Sequence, residues 1–244
     1  MAVFEYWADR FRWDYISQID AFAGCLSDRV LPAFANIDEE GKQIAEERYQ
    51  ELLSGCGGES DWGSLGELAQ DRAITYYETM YGLRQGIVNM FAVGLWHLFE
   101  QQLADFVRHA ILDYPANLDK NPNFARACSL LHNTKWGIDI TRFQSYARVD
   151  ELHHLANCAK HGDGDACTKL RALRPALFSP FGLETGASLG FGRGPVIAPL
   201  GGEHLYLTAD DFKDYAEAVK AFWTELSTEV RSIVTRLNAS ESGA

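Results

Sequence analysis

From Leu65 to Ile111 the chain repeats apolar residues at helical spacing and meets no proline until Pro115. The repeat passes through Leu65, Leu68, Tyr76, Met80, Leu83, Ile87, Phe91, Leu95, Leu98 and Phe106, spaced as one face of an α-helix requires. Ser64 and Glu67 stand at its start in the S-x-x-E order of a capping box. The spacing predicts one long helix, or two abutting ones, of about 50 residues and roughly 75 Å. An element of that length forces the rest of the chain to pack along it. Gly82, Gly86 and Gly94 lie inside the run, each costing about 1 kcal/mol relative to alanine in a helix interior. They suggest a bend, or close approach of another helix to a side-chain-free face; between tight intrachain packing and a dimer seam, packing is favoured.

The flanking segments are helical as well. Phe4, Trp7, Phe11, Tyr15, Ile19 and Phe22 recur at three and four. Residues 37–55 carry acids in the first turn and end on Gly55, and "GCGGESDWG" after them reads as a loop. A short helix is expected at 124–132. A longer one is expected from Thr141 to Lys160, with Phe143, Ala147, Leu152, Leu155 and Ala159 inward. Another short one at 165–173 stops before Pro175. Residues 181–202 are glycine-rich, and their GFGRG lacks the strand and helix that a phosphate loop needs. "HLYLT" is a candidate strand, paired with "PVIAPL". Thr208 and Asp211 make a second capping box, and a final helix runs to about Leu237. The expected fold is all-α: a helical bundle with long antiparallel helices and at most a small β-hairpin. Residues 1–62 form an N-terminal helical segment packed on the bundle, 63–238 the main helical domain, and 239–244 a tail.

The 244 residues are 47% hydrophobic, ordinary for a globular chain. The opening residues mix charges with aromatics and do not read as a signal peptide. The longest apolar stretch, from Gly86, is broken by Asn89 and His97 and is too short for a membrane span. A soluble, cytoplasmic protein is expected. Five cysteines (Cys25, Cys56, Cys128, Cys158 and Cys167) include no CxxC pair; reduced thiols are expected, with neither a disulfide framework nor a zinc site. Net charge is −12, yet residues 135–174 hold seven Lys and Arg against five acids, a local +2. A nucleic-acid binder acting through its whole surface would be basic.

That positive window contains "ELHHLANCAKHGDGDACTKL". Asn157 and His161 stand one helical turn apart, Lys160 beside them and Gly162 after them. "LANCAKHGDGDA" at the end of an amphipathic helix resembles the motif helix of HEPN domains (higher eukaryotes and prokaryotes nucleotide-binding). "LWHLFEQQLADFVRHA" resembles the long helix that packs against it, with Glu100 on its polar side. The resemblance covers about ten residues in motif and residues 65–237 in architecture. It implies a dimeric helical bundle and a metal-independent ribonuclease of a bacterial defence or toxin-type system. The family's arginine would stand at position 156, where this chain has Ala156; Arg148, preceding His153 and His154, is one substitute the sequence offers, and Arg142, Arg148 or an arginine of a partner subunit entering from elsewhere is the other.

On this reading His161 is the acid/base, since imidazole titrates near neutrality. Asn157 acts with it, and Lys160 and Arg148 hold the phosphate as charge develops. The simpler reading is a helix end, because Lys160 and His161 complement the macrodipole and Gly162 permits a positive φ. His153 and His154 are adjacent and face different ways, one packed and one solvated. Cys158 with His161, and Cys128 with His132, have helical ligand spacing but no closing ligand set, so no metal or other cofactor is expected. Cys158 as a nucleophile lacks an orienting third residue. The function expected first is RNA binding or metal-independent endoribonuclease action by a homodimer, away from membranes. The alternative is a catalytically inactive helical scaffold that assembles with a partner protein.

Overall fold

The computed structural model describes residues 2–55, 62–111, 122–134, 136–180 and 194–242. Among these every regular element is helical. Helix α1 (Ala2–Arg10) passes through a π turn (Phe11–Tyr15) into α2 (Ile16–Cys25). Then come α3 (Ile37–Gly55), α4 (Trp62–Phe106), α5 (Phe124–Asn133), α6 (Tyr146–His161), α7 (Asp165–Leu173) and α8 (Ala209–Ser242). The apolar run is one helix, not two: α4 continues into a π turn, Val107–Ile111. It begins at Trp62, so Ser64 is already helical and is not the cap. Thr208 is a cap: its Oγ1 accepts from the Asp211 N–H (2.9 Å), and Asp211 accepts from Thr208 N–H (3.2 Å) and Oγ1–H (2.6 Å). Asn123 caps α5 by accepting from Arg126 N–H.

The core lies between the second half of α4, α6, α8 and the N-terminal helices. Phe4, Trp7, Phe11, Tyr15 and Ile19 are all buried in it, with Phe99, Leu155 and Trp223. Its rings meet edge-on and tilted, as Phe11 does with Phe106 at 4.9 Å, a preferred arrangement for ring quadrupoles. On α6 the inward residues are Val149, Leu152, Leu155, Ala156 and Ala159, while Ala147 is exposed. The first half of α4 packs instead with α3, where Tyr81 donates to the Asp38 carboxylate (2.6 Å) and Tyr76 to Glu40. These two helices make an arm with a thin interior of Gly41, Leu65, Ala69 and Ala73. Leu68 and Leu83 of the sequence repeat are therefore exposed.

No strand is present among the described residues, and "PVIAPL" and "HLYLT" do not pair. Their backbone groups are satisfied elsewhere. The buried Asn89 amide donates to the carbonyls of Pro199 (2.7 Å) and Leu205 (2.8 Å). Gln85 donates to Leu207 (2.9 Å), Tyr206 N–H to Leu177, and Asp163 N–H to Val196. His204, at φ 67°, interrupts the extended run. The turn Pro199–Gly201 sits directly on α4. A Cβ on Gly86 would overlap the Leu200 carbonyl oxygen, and one on Gly82 would lie 3.3 Å from that of Gly201. On Gly94 it would lie 2.7 Å from Phe22. All three glycines serve contacts within the chain.

Cys158 and Cys167 form a disulfide, Cα–Cα 4.7 Å, which corrects the expectation of reduced thiols. The turn at Gly162–Gly164 folds α7 back on α6 and brings the two buried positions together. Cys25 and Cys128 are free; burial pushes the Cys128 thiol up to about 11. Cys56 lies outside the described residues, as do most of the loop after Gly55 and residues 181–193, with all of the GFGRG sequence but Gly194.

Candidate functional site

Helix α6 turns by about 100° per residue, so His153, Asn157 and Lys160 descend one side of it. That side meets the second half of α4. His153 stacks on Trp96 with ring centroids 4.6 Å apart and planes 24° apart. Two turns on, the Lys160 ammonium lies 3.3 Å from His97 Nε2. His97 Nδ1 is 3.7 Å from a Glu100 carboxylate oxygen, and the other oxygen of Glu100 accepts from the Phe124 N–H (3.2 Å). Glu100, His97 and Lys160 thus stand in a row along the α4–α6 edge, tied through Glu100 to the first turn of α5.

Asn157 is half-buried between His153 and Lys160, and His161 is exposed at the end of the helix. Asn157, Lys160 and His161 thus share one end of α6. His97 and Glu100 join them from α4 across more than fifty residues of sequence. Gly162 closes the helix with φ 71°, its N–H bonded to Cys158 C=O (2.9 Å). A side chain there would be strained, and its Cβ would lie 2.6 Å from the Val196 carbonyl oxygen.

Arg148 is not part of this edge. Nine residues separate it from Asn157, half a rotation of the helix, so it points to the opposite side. There it pairs with Glu151 (2.7 Å) and Asp214 (3.8 Å) and lies over the Tyr215 ring, 4.1 Å from its centroid. Glu151 also receives Arg174 (3.4 Å) and the Tyr215 hydroxyl (2.5 Å). Burial and that bond to Glu151 push the Tyr215 hydroxyl pKa far up. Arg174 extends the network to Asp211 (2.6 Å). Burial opposes the Asp211 charge, but hydrogen bonds from Thr208 and Arg174 outweigh it and hold the carboxyl below its ordinary range. This is a brace between α6, the end of α7 and the cap of α8.

Ala156 has 0% exposure, so an arginine side chain at that position would be driven into the core. The positive window is not a basic stripe either. Arg142 pairs with Asp139, and Arg171 donates to the Gly194 carbonyl. Lys160 and Lys169 are exposed, and Lys135 lies outside the described residues.

The two adjacent histidines are both half-buried, with ring centroids 5.3 Å apart and planes 24° apart, which corrects the expectation of one packed and one solvated. Burial, then the neighbouring His154, pushes the His153 pKa below its ordinary value. His154 lies 3.5 Å from Asp150. Among the described residues no group of three or more His, Cys, Asp or Glu side chains is placed to hold a metal ion. No described helix is long and apolar enough to cross a membrane. No family model matches this chain, and no curated protein or solved structure was found to be similar to it.

His97 is the residue that sequence reasoning passed over, noting it only as a break in an apolar stretch. Its signal was its spacing: His97 and Glu100 are polar residues three apart, a distance that puts them on one face of a helix otherwise committed to the core.

Proposed function

We propose that the α4–α6 edge binds RNA and cleaves it without a metal, in the defence or toxin-type setting that the HEPN resemblance implies. One observation carries this reading: the Glu100–His97–Lys160 row, which sets an imidazole between a carboxylate and an ammonium at the α4–α6 edge. An imidazole takes the 2′-hydroxyl proton, the 2′-oxygen attacks phosphorus, and the 5′-oxygen leaves with a proton from a second acid. The products are a 2′,3′-cyclic phosphate and a 5′-hydroxyl. His97 and His161 are the candidate base and acid. Lys160 and Asn157 hold the phosphate oxygens as charge builds, and Arg148 has no role in the step. Dimerisation belongs to this reading through the resemblance.

The test uses the full chain with a quenched RNA reporter and its 2′-deoxy counterpart. Cleavage of the ribose substrate only, unchanged by chelator and lost in His97→Ala and His161→Ala, is the expected result. Lys160→Ala is expected to weaken RNA binding and reduce its salt dependence. Purified protein that neither binds nor cleaves any RNA ends the proposal. A second reading, a catalytically inactive interaction module, is favoured by the burial of Ala156 and the ion pairing of Arg148. On that reading the same substitutions change no RNA readout.

A further inference from the structure

The bridge between Cys158 and Cys167 lies beside the candidate site, at the last turn of α6. Both cysteines are buried, at 0% and 1% exposure, with Cα atoms 4.7 Å apart. Asn157 precedes Cys158 on α6, and Lys160 and His161 follow it. The two bridged helices are not seated equally. Helix α6 buries Leu152, Leu155, Ala156 and Ala159 besides its cysteine, whereas α7 buries only Leu170 besides its own. Gly162, Asp163, Gly164 and Asp165, which join them, bury no side chain. The far end of α7 is tied down, Arg171 to the Gly194 carbonyl (3.0 Å) and Arg174 to Asp211 (2.6 Å). A force at Cys167 therefore turns α7 about its C-terminal end.

Bonded sulfurs sit about 2 Å apart, while two thiols, as non-bonded atoms, need roughly 3.5–4 Å. A close-packed interior does not absorb the difference, so the less firmly seated element, α7, gives way. The corner it carries is wedged against another segment. Asp163 N–H donates to the Val196 carbonyl (3.0 Å), and a Cβ on Gly162 would lie 2.6 Å from the same oxygen. Displacement of this corner reaches the last turn of α6, where Lys160 stands 3.3 Å from His97. We propose that Cys158–Cys167 is a thiol–disulfide switch: the bridge holds the last turn of α6 in register with α4, and a dithiol reductant releases it. One thiolate of the reductant attacks a bridge sulfur, and the other cysteine leaves as a thiolate. The second thiolate of the reductant then displaces the first cysteine from the mixed disulfide. The reductant departs as a disulfide, and the two cysteines take up the protons it has lost. The switch rests on packing alone; that the site it governs acts on RNA rests on the reading above.

The experiment uses the full chain, isotope-labelled for NMR, before and after dithiothreitol in native buffer, with mass spectrometry confirming the redox state. Reduction is expected to move the amide resonances of Lys160, Asp163 and Val196 and the ring resonances of His97, while those of α8 stay in place. The same two samples are given the RNA reporter, where misplacing the last turn of α6 is expected to slow cleavage by up to about 100-fold. The Cys158→Ala/Cys167→Ala variant, checked by circular dichroism, is expected to ignore dithiothreitol in both assays. Shifts confined to the two cysteines and their chain neighbours, with Val196 and His97 unmoved, overturn the inference, as does a bridge that yields only in denaturant. So does equal cleavage by the two forms. A response to dithiothreitol that persists in the variant belongs to other thiols and also overturns it. If neither form cleaves RNA, the RNA reading fails and the resonances alone decide the switch.

Discussion

Replacing Gly86 with alanine pits two effects against each other inside one helix. Alanine favours the helix by about 1 kcal/mol. Against that, its Cβ would overlap the Leu200 carbonyl oxygen and approach the carbonyl carbon to 3.1 Å. The turn carrying Leu200 is anchored by the Asn89 amide to the carbonyls of Pro199 and Leu205. Moving it strips those bonds from a fully buried side chain, at about 1–3 kcal/mol for each polar group left unsatisfied. The balance is a net loss of about 2–4 kcal/mol, or roughly 5–15 °C in melting temperature for a chain of this size. Gly66, in the same helix, has nothing within 4 Å of its Cβ position. Gly66→Ala is expected to stabilise by up to about 1 kcal/mol. Urea denaturation followed by circular dichroism, with unchanged m-values, compares the two. If Gly86→Ala matches or exceeds the native midpoint, the turn does not seat on α4 as described.

Three further outcomes follow from the packing. Arg148→Ala should lower stability by about 1–2 kcal/mol through the loss of its bonds to Glu151 and leave any RNA readout unchanged; altered RNA binding would return Arg148 to the site. Reduction of Cys158–Cys167 should cost about 2.5 kcal/mol on a loop-entropy count, with alkylation mass revealing two extra thiols after dithiothreitol; two extra thiols without dithiothreitol would contradict the pairing. The His153 pKa is depressed by burial, so the unfolded chain takes up the proton first as pH falls. Its contribution to stability is complete above about pH 6.5 and is lost as pH drops toward and through the folded value. The denaturation midpoint should therefore fall between pH 7.5 and 5.5 by more in the native chain than in His153→Phe, and equal falls would refute the burial argument.

The helices were legible wherever local rules decide them. Acids and Gly55 bracket α3, the Thr208–Asp211 box starts α8, and Pro175 follows closely on α7, all visible in the residues. The hairpin was not, because its competitor is distant: two amides on α4, more than a hundred residues away, take the carbonyls that strand pairing would have used. The disulfide was missed because it depends on how tightly α7 folds back, which Gly162 and Gly164 permit but do not announce. At the candidate site, Asn157, Lys160 and His161 could be read together from helical spacing. Arg148 was misjudged by counting residues toward a histidine, when the helical rotation between 148 and 157 already set it on the far side. His97 meets Lys160 only through the packing of α4 on α6, which periodicity does not encode.

Helix α4 belongs to the arm at one end and to the core at the other, with no break in its backbone between them. It is a beam rather than a string of joints, and long helices curve gently unless proline or a bulge intervenes. From Leu68 to His97 the rise is roughly 44 Å, and the Leu200 turn clamps the span partway along. A push or twist on the arm is therefore borne by the same rigid body that carries His97 and Glu100. The arm also cannot be cut away at its own base, because severing it means severing the helix that frames the core.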